Sequence, residues 1–350
     1  KDFNMKKLLT FVSAITAGAI GTAAADVSVS GSGNFYYSSA SGDTANTAGQ
    51  EKTLAVTGGT VAFAMSTETT NGITVSGSAS ITADTDDMGE YTANTAAASG
   101  AATGMSLLTF GMDGMTVTLG DINGAGSGTG EGGDVTTIAS GHAGKFATAG
   151  VAEASDSSID SLADGTGINV STSIGAATVD ASYVMKAGSG RNSLLTLSTT
   201  TGYSSAYSIN VGLDIAGAAV NVAAGGSQAK ATSAKNNTGM AIEASYPVSD
   251  ALSVTVGGSN GTIGGADEDN IFITAAYTMD ADTTLSIGMA SGDSTSSAGS
   301  LDKATATTVN VSRSLGGGVS VFAEYADVKF DDAGSTTNAS AVSVGTNVSF

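Results

Sequence analysis

Val342-Ser343-Val344-Gly345-Thr346-Asn347-Val348-Ser349-Phe350 sets apolar side chains at Val342, Val344, Val348 and Phe350 against polar ones at Ser343, Asn347 and Ser349. That is the two-residue period of a β-strand with one apolar and one wet face. A strand at the end of a sheet leaves a row of N–H and C=O groups unpaired. Pairing the last strand with the first abolishes that edge, so the stretch is expected to close a barrel.

Moving outward from it, the same period recurs from Asp26 onward in segments of about ten residues. The first, 26–37, sets Val27 and Val29 against Ser28 and Ser30, and the second, 53–66, changes phase at Gly58-Gly59 as a bulge would. A tight connection at Thr67–Gly72 leads to a third strand, 73–82, and a long loop at 85–104 follows. The fourth and fifth strands meet at Asp113-Gly114, a dipeptide that favours a two-residue hairpin turn. Residues 122–166 are irregular, and a stretch of that length inside a compact fold implies a function for it. Strands six and seven join at Gly175-Ala176. Residues 186–204, with Leu194, Leu195 and Leu197, are assigned to a loop, because a strand there would make seventeen and put a long loop among short joints. Nine further strands follow, ending at 339–350. Short joints at Gly217, Ser249-Asp250, Ala281-Asp282 and Gly316-Gly317 alternate with polar loops near 232–237, 261–269, 292–303 and 331–338. The sum is an all-β, 16-stranded antiparallel transmembrane β-barrel with turns at one end and long loops at the other.

At the other end of the chain, Lys6 and Lys7 follow Met5, a short apolar run covers Leu8 to Ile20, and Ala23-Ala24-Ala25 supplies a small-residue cleavage site. Residues 1–25 are therefore expected to be an upstream extension plus a cleaved secretory signal peptide, with the barrel at 26–350. The apolar run is too short for a spanning helix.

Composition agrees with strands and turns: 49 Gly, one Pro and abundant Ser, Thr, Ala and Val. The absence of Cys removes disulfides, thiolate metal sites and Cys nucleophiles. With His142 as the single His, a His-dependent nucleophilic triad or a His-rich metal site cannot be assembled. Glycine runs such as 124–133 lack the following Lys and helix of a phosphate loop. Nine of the 12 basic residues and 31 of the 32 acidic ones lie after residue 25, leaving the mature chain near −22. Such a surface repels nucleic acid and attracts cations.

Leu107 to Ala125 (LLTFGMDGMTVTLGDINGA), a hairpin closing in Leu-Gly-Asp, and the terminal Phe350 resemble the general diffusion porins of Gram-negative outer membranes, most closely the alphaproteobacterial branch. The resemblance implies a homotrimer in contact with outer-membrane lipid and lipopolysaccharide, no enzyme activity, and passage of small polar solutes. It further implies that the stretch after Asp121 is the third external loop, folded into the pore. Val344, Val348 and Phe350 would be the signal that the assembly machinery reads. The family usually faces that loop with a cluster of Arg and Lys. Here residues 26–121 hold only Lys52, and Arg313 shares a face with Val309 and Val311, so it is expected to point outward. With no Trp, aromatic girdles would rest on Tyr183, Tyr207, Tyr246, Tyr277 and Tyr325.

The long loop carries Glu131, Asp134, Glu153, Asp156, Asp160 and Asp164 against Lys145 and His142. Inside a barrel these acids would focus a negative field and concentrate cations. Outside it they would be an ordinary solvated loop. The wall opposite is expected to present Ser28, Ser30, Thr74, Ser76, Thr116 and Thr118. Clustered carboxylates also suit Ca²⁺, although no spaced acidic calcium motif is present. Two other classes use the same vocabulary. A secreted or surface-displayed β-solenoid adhesin would need a fixed repeat, which the hairpins lack, and a barrel enzyme would need a catalytic set that is not visible.

Overall fold

A computed structural model of the chain describes residues 26–42, 52–82, 107–122, 124–126, 129, 165–186, 203–229, 236–263, 265–295, 301–332 and 335–350. Its strands are β1 (Asp26–Gly42), β2 (Lys52–Glu68), β3 (Thr74–Thr82), β4 (Leu107–Met112), β5 (Met115–Ile122), β6 (Gly165–Ile174), β7 (Ala177–Lys186) and β8 (Tyr203–Ile215). They continue as β9 (Ala218–Ala229), β10 (Asn237–Ser249), β11 (Leu252–Ile263), β12 (Ala266–Asp280), β13 (Thr283–Thr295), β14 (Leu301–Gly316), β15 (Val319–Asp332) and β16 (Ser335–Ser349). Each pairs antiparallel with its sequence neighbours, and β1 pairs with β16, so the sheet is closed. A β-solenoid, the alternative architecture, is excluded by that topology. Among the described residues no helix is long and apolar enough to cross a membrane. The crossing is made by strands.

Closure begins at the turn end. Gly31 and Phe350 exchange two backbone hydrogen bonds, of 2.8 and 3.0 Å, and the register then runs from Ser32↔Ser349 to Gly42↔Ala339. The Phe350 ring lies across Gly31 on the outer face, in the space a Cβ would fill. On the inner face the Phe322 ring covers Gly345 in the same way, and Gly345 also sits against the Phe35 carbonyl of β1. Aromatic rings over strand glycines restore the contacts that a missing side chain forfeits.

The expected phase change in the second strand is present. Ser32 pairs with Thr60 and Asn34 with Thr57, so Gly58 and Gly59 together oppose Gly33 as a bulge. Asp113 (φ 33°) and Gly114 (φ 79°) both take the left-handed conformation that a two-residue hairpin turn requires, and Ala216 and Gly217 do the same.

Several expected loops are corrected. The stretch at 261–269 is mostly ladder, with Gly261, Thr262 and Ile263 paired to Glu268, Asp267 and Ala266. β13 and β14 likewise run into the loop expected at 292–303, and Asp331 and Asp332 pair with Thr336 and Ser335 inside the one expected at 331–338. The physical reason is that polarity in these segments marks contact with water, and backbone pairing does not need apolar side chains. Lys186, Tyr203 and Ser204 belong to strands, whereas Leu194, Leu195 and Leu197 lie outside the described residues, as do residues 1–25 and 85–104.

One face of every strand carries the apolar series, exemplified by Val29, Leu119, Ile209, Ile242, Ile273, Ile287 and Val344, all exposed. Cross-strand register keeps the series together: Leu119 opposes Ile168, Ile242 opposes Val222, and Ile273 opposes Met289. An exposed apolar surface that encircles the sheet belongs in a hydrocarbon layer. Tyr183, Tyr207, Tyr246, Tyr277 and Tyr325 all lie on it, exposed. Tyr183 and Tyr207 pair directly near the loop end, while Tyr246 and Tyr277 sit near the turn end, the two heights at which aromatic belts are expected. Arg313 is also outward, its Nη1 donating to Thr283 Oγ1 at 2.9 Å and pairing with Asp280 at 3.4 Å beside the turn.

Replacing Gly345 by Val should drive a side chain into the Phe322 ring and the Phe35 carbonyl. The expected cost is about 1–3 kcal/mol, measured as a lower urea midpoint for the refolded barrel in detergent, with strand content by circular dichroism unchanged in the folded fraction.

Candidate functional site

Because side chains alternate, the polar face of every strand turns to the lumen. Hydroxyls and amides there bond to one another across strands. Thr109 and Thr118 meet at 3.2 Å, Thr255 donates to Ser245 at 3.1 Å, and Asn270 Oδ1 accepts from the Ser259 backbone N–H at 2.7 Å. Much of the wall is thus lined by neutral groups whose hydrogen bonding is partly used by the wall itself.

Ser28, Ser30, Thr74, Ser76, Thr116 and Thr118 all fall on this lumen-facing register, with Ser28 opposite Ala64, and Ser76 opposite Ser66 and Thr109. Described lumen-facing positions also include Asp26, Glu68, Asp180, Glu243, Glu268 and Glu324. The basic side chains that are described, Lys303, Arg313 and Lys329, all share the outward register of Val309, Val311 and Tyr325. Lys303 pairs with Asp293 at 2.7 Å and Lys329 with Asp331 at 2.9 Å, both at exposed positions. Such pairs add little to stability. Among the described residues no cluster of carboxylates and imidazole is arranged to hold a metal ion.

At the base of the long loop, Ile122 leaves β5 on the lumen side and packs with Leu107, Val184 and Ala206, an apolar island on an otherwise polar wall. The chain then reaches across the inner surface of β6. The Ala125 backbone N–H donates to Ser182 Oγ at 2.8 Å, and Asn169 Nδ2 donates to the same oxygen at 2.8 Å. Gly126 (φ 80°) lies so close to Ala223 that a Cβ would collide with it, and Asn210 is tight beside it. Thr129 N–H donates to Gly126 O at 2.8 Å and is buried. Glu131, Asp134, Lys145, Glu153, Asp156, Asp160 and Asp164, and with them the Ca²⁺ site considered for the loop carboxylates, lie outside the described residues.

A sequence profile described as Gram-negative porin matches residues 10–333. The chain belongs to that family. This porin is an outer-membrane protein, and its barrel is a diffusion channel. No curated protein sequence matches it. Its fold is shared with the anion-selective porin of Comamonas acidovorans, at a TM-score of 0.64 and 15% identity over 93% of this chain and 100% of that one. It is also shared with OmpT, an outer membrane protein of Vibrio cholerae solved in a trimer form, at a TM-score of 0.61 and 13% identity over 93% and 99% of the two chains. A porin mutant from Rh. blastica gives 0.58 and 16% over 93% and 100%.

Reading the sequence missed Ser182, Asn169 and Asn210 as the porin's seat for the loop base. The available signal was in β7, where the inward series Thr178, Asp180, Ser182 is broken by the apolar Val184. That break marks where something packs, and nothing local says what.

Ser182→Ala removes one acceptor and leaves the Ala125 and Asn169 donors unmet. Each unsatisfied group costs about 1–3 kcal/mol when buried, so amide exchange in a peptide spanning residues 122–126 should rise at least tenfold, while peptides from β12–β15 should exchange as in the unaltered protein.

Proposed function

We propose that this porin lets small hydrophilic solutes and ions cross the outer membrane down their gradients, prefers cations, and works as a homotrimer without catalysis. The observation that carries the ion preference is the one-sided charge of the lumen: carboxylates at Asp26, Glu68, Asp180, Glu243, Glu268 and Glu324, with no described basic side chain on that face. In a channel with low-dielectric walls a fixed negative charge raises cation concentration and lowers that of anions. The hydroxyl-lined wall suits uncharged polar solutes, which can exchange water hydrogen bonds for those of Ser and Thr.

The long loop adds to this reading. Its first residues lie against the inner surface of β7–β9, and the next acids in the chain are Glu131 and Asp134. A loop that continues inward from there narrows the pore and places its carboxylates in the path. The homotrimer is supported by the same fold in a protein solved as a trimer. Secretion would use a signal peptide cleaved before Asp26, on the strength of Lys6-Lys7, the short apolar run and Ala23-Ala24-Ala25. Val344, Val348 and Phe350, exposed on the outer face of the closing strand, would be the signal read by the assembly machinery.

In a planar bilayer with a KCl gradient, the purified porin should show stepwise openings in groups of three and a reversal potential of cation sign at neutral pH. The paired changes Glu131→Gln and Asp134→Asn should at least halve the K⁺/Cl⁻ permeability ratio. A clear preference for anions in the unaltered protein would sink the reading.

A further inference from the structure

In the lumen wall of β14–β16, Asn310, Glu324 and Ser343 stand side by side: Asn310 opposes Glu324, and Glu324 opposes Ser343. All three are more than nine-tenths buried. Glu324 Oε2 has no hydrogen-bond partner. Asn310 Nδ2 donates to the Ala323 carbonyl at 3.5 Å, which leaves the amide oxygen as the end not engaged by that bond. Directly opposed residues in an antiparallel pair have Cβ atoms about 4.5–5.5 Å apart, so an ion at the Glu324 carboxylate has the Asn310 amide on one side and the Ser343 hydroxyl on the other. The row is fixed by the backbone ladder of three strands, so it is in place before any ion arrives.

A carboxylate withdrawn from water needs a positive partner or hydrogen bonds to remain charged. The protein supplies none that is described. The lumen-facing positions of β13, β14, β15 and β16 contain no Lys, Arg or His, and the facing titratable group from β1 is Tyr36, at the rung of Gly345. For the group to be charged, its partner must come from the pore. The ligand set is one carboxylate, one amide oxygen and one hydroxyl, all hard oxygen donors with a single negative charge. Ca²⁺ takes six to eight oxygens, commonly from several carboxylates, and Mg²⁺ demands near-octahedral geometry. A single charge matches a monovalent ion, with pore water completing its shell.

We propose that Glu324, Asn310 and Ser343 form a resting site for a monovalent metal cation, Na⁺ or K⁺, on its way through the pore. The proposal rests on the cation-preferring channel above and names a place on the wall, apart from the long loop, where that preference is exerted. A site of this kind must hold the ion briefly and release it, since conduction fails when binding is too tight. One carboxylate meets that condition better than a cage of several.

The test is infrared difference spectroscopy of the refolded full chain in vesicles, comparing chloride salts of Na⁺, K⁺ and the bulky N-methyl-D-glucamine cation. Glu324→Gln identifies the bands of this side chain. In the bulky salt a carboxylic-acid C=O band is expected, and Na⁺ or K⁺ should lower it at least threefold with a matching gain of carboxylate signal. Asn310→Ala, which keeps the carboxyl, should raise the Na⁺ concentration needed at least threefold. An acid band equal in all three salts would assign the position to a proton only and overturn the proposal. So would a carboxylate band that ignores the salt. Because the readout needs no conduction, a barrel that fails to conduct defeats the channel reading while the salt response still decides the site. In a conducting porin, Glu324→Gln should also at least halve the K⁺/Cl⁻ ratio, and an unchanged ratio overturns the proposal.

Discussion

Everything in this porin depends on the pairing of β1 with β16. In hydrocarbon no water is available to satisfy an unpaired N–H or C=O, so a sheet can cross the bilayer only if it has no edge. The register from Ser32↔Ser349 to Gly42↔Ala339, with the two Gly31–Phe350 hydrogen bonds at its turn end, converts an open sheet into a closed one. At the seam large residues also cover small ones, with Phe350 over Gly31 and Phe322 over Gly345. Two strands distant in sequence meet there, and the ring-over-glycine contacts favour one register over slipped ones.

Closure separates two surfaces that obey different rules. Outside, the apolar series faces lipid, and its tyrosines stand toward both ends. Inside, the same strands present hydroxyls, amides and carboxylates to water. A one-residue register slip would exchange the two faces, so the polarity pattern that makes the protein membrane-compatible also gives the pore its chemistry. Function and insertion are two readings of one alternation. The bulge of Gly58-Gly59 against Gly33 changes the phase of β2 locally without breaking the ladder.

The lumen is not uniform around its circumference. On β7–β9 it receives the start of the long loop, through Ser182, Asn210 and Ala223, and there Val184 and Ala206 make it apolar. On β14–β16 it is polar, buried and short of positive charge around Glu324. The base of the loop lies on one arc, and the opposite arc carries the buried Glu324 carboxyl. A field across the pore in this protein would come from the placement of negative groups, not from acids facing a basic wall.

Much of this was legible in the residues. Val342, Val344 and Val348 against Ser343 and Asn347 announced a two-faced strand, Asp113-Gly114 announced its hairpin, and Gly58-Gly59 announced a bulge, because alternation and turn conformation are local properties of the chain. The outward position of Arg313 followed from its phase with Val309 and Val311. Strand ends were less legible: Glu268-Asp269 and Asp331-Asp332 read as loop because they are polar, yet their backbones pair. What the sequence determined by itself was the face each side chain takes and the number of crossings. Only the tertiary structure decided which faces meet: that Ser182 receives Ala125, and that Asn310, Glu324 and Ser343 share a row. Those neighbours are set by register and closure between strands far apart in sequence, and no local period encodes which distant rung a residue will stand beside.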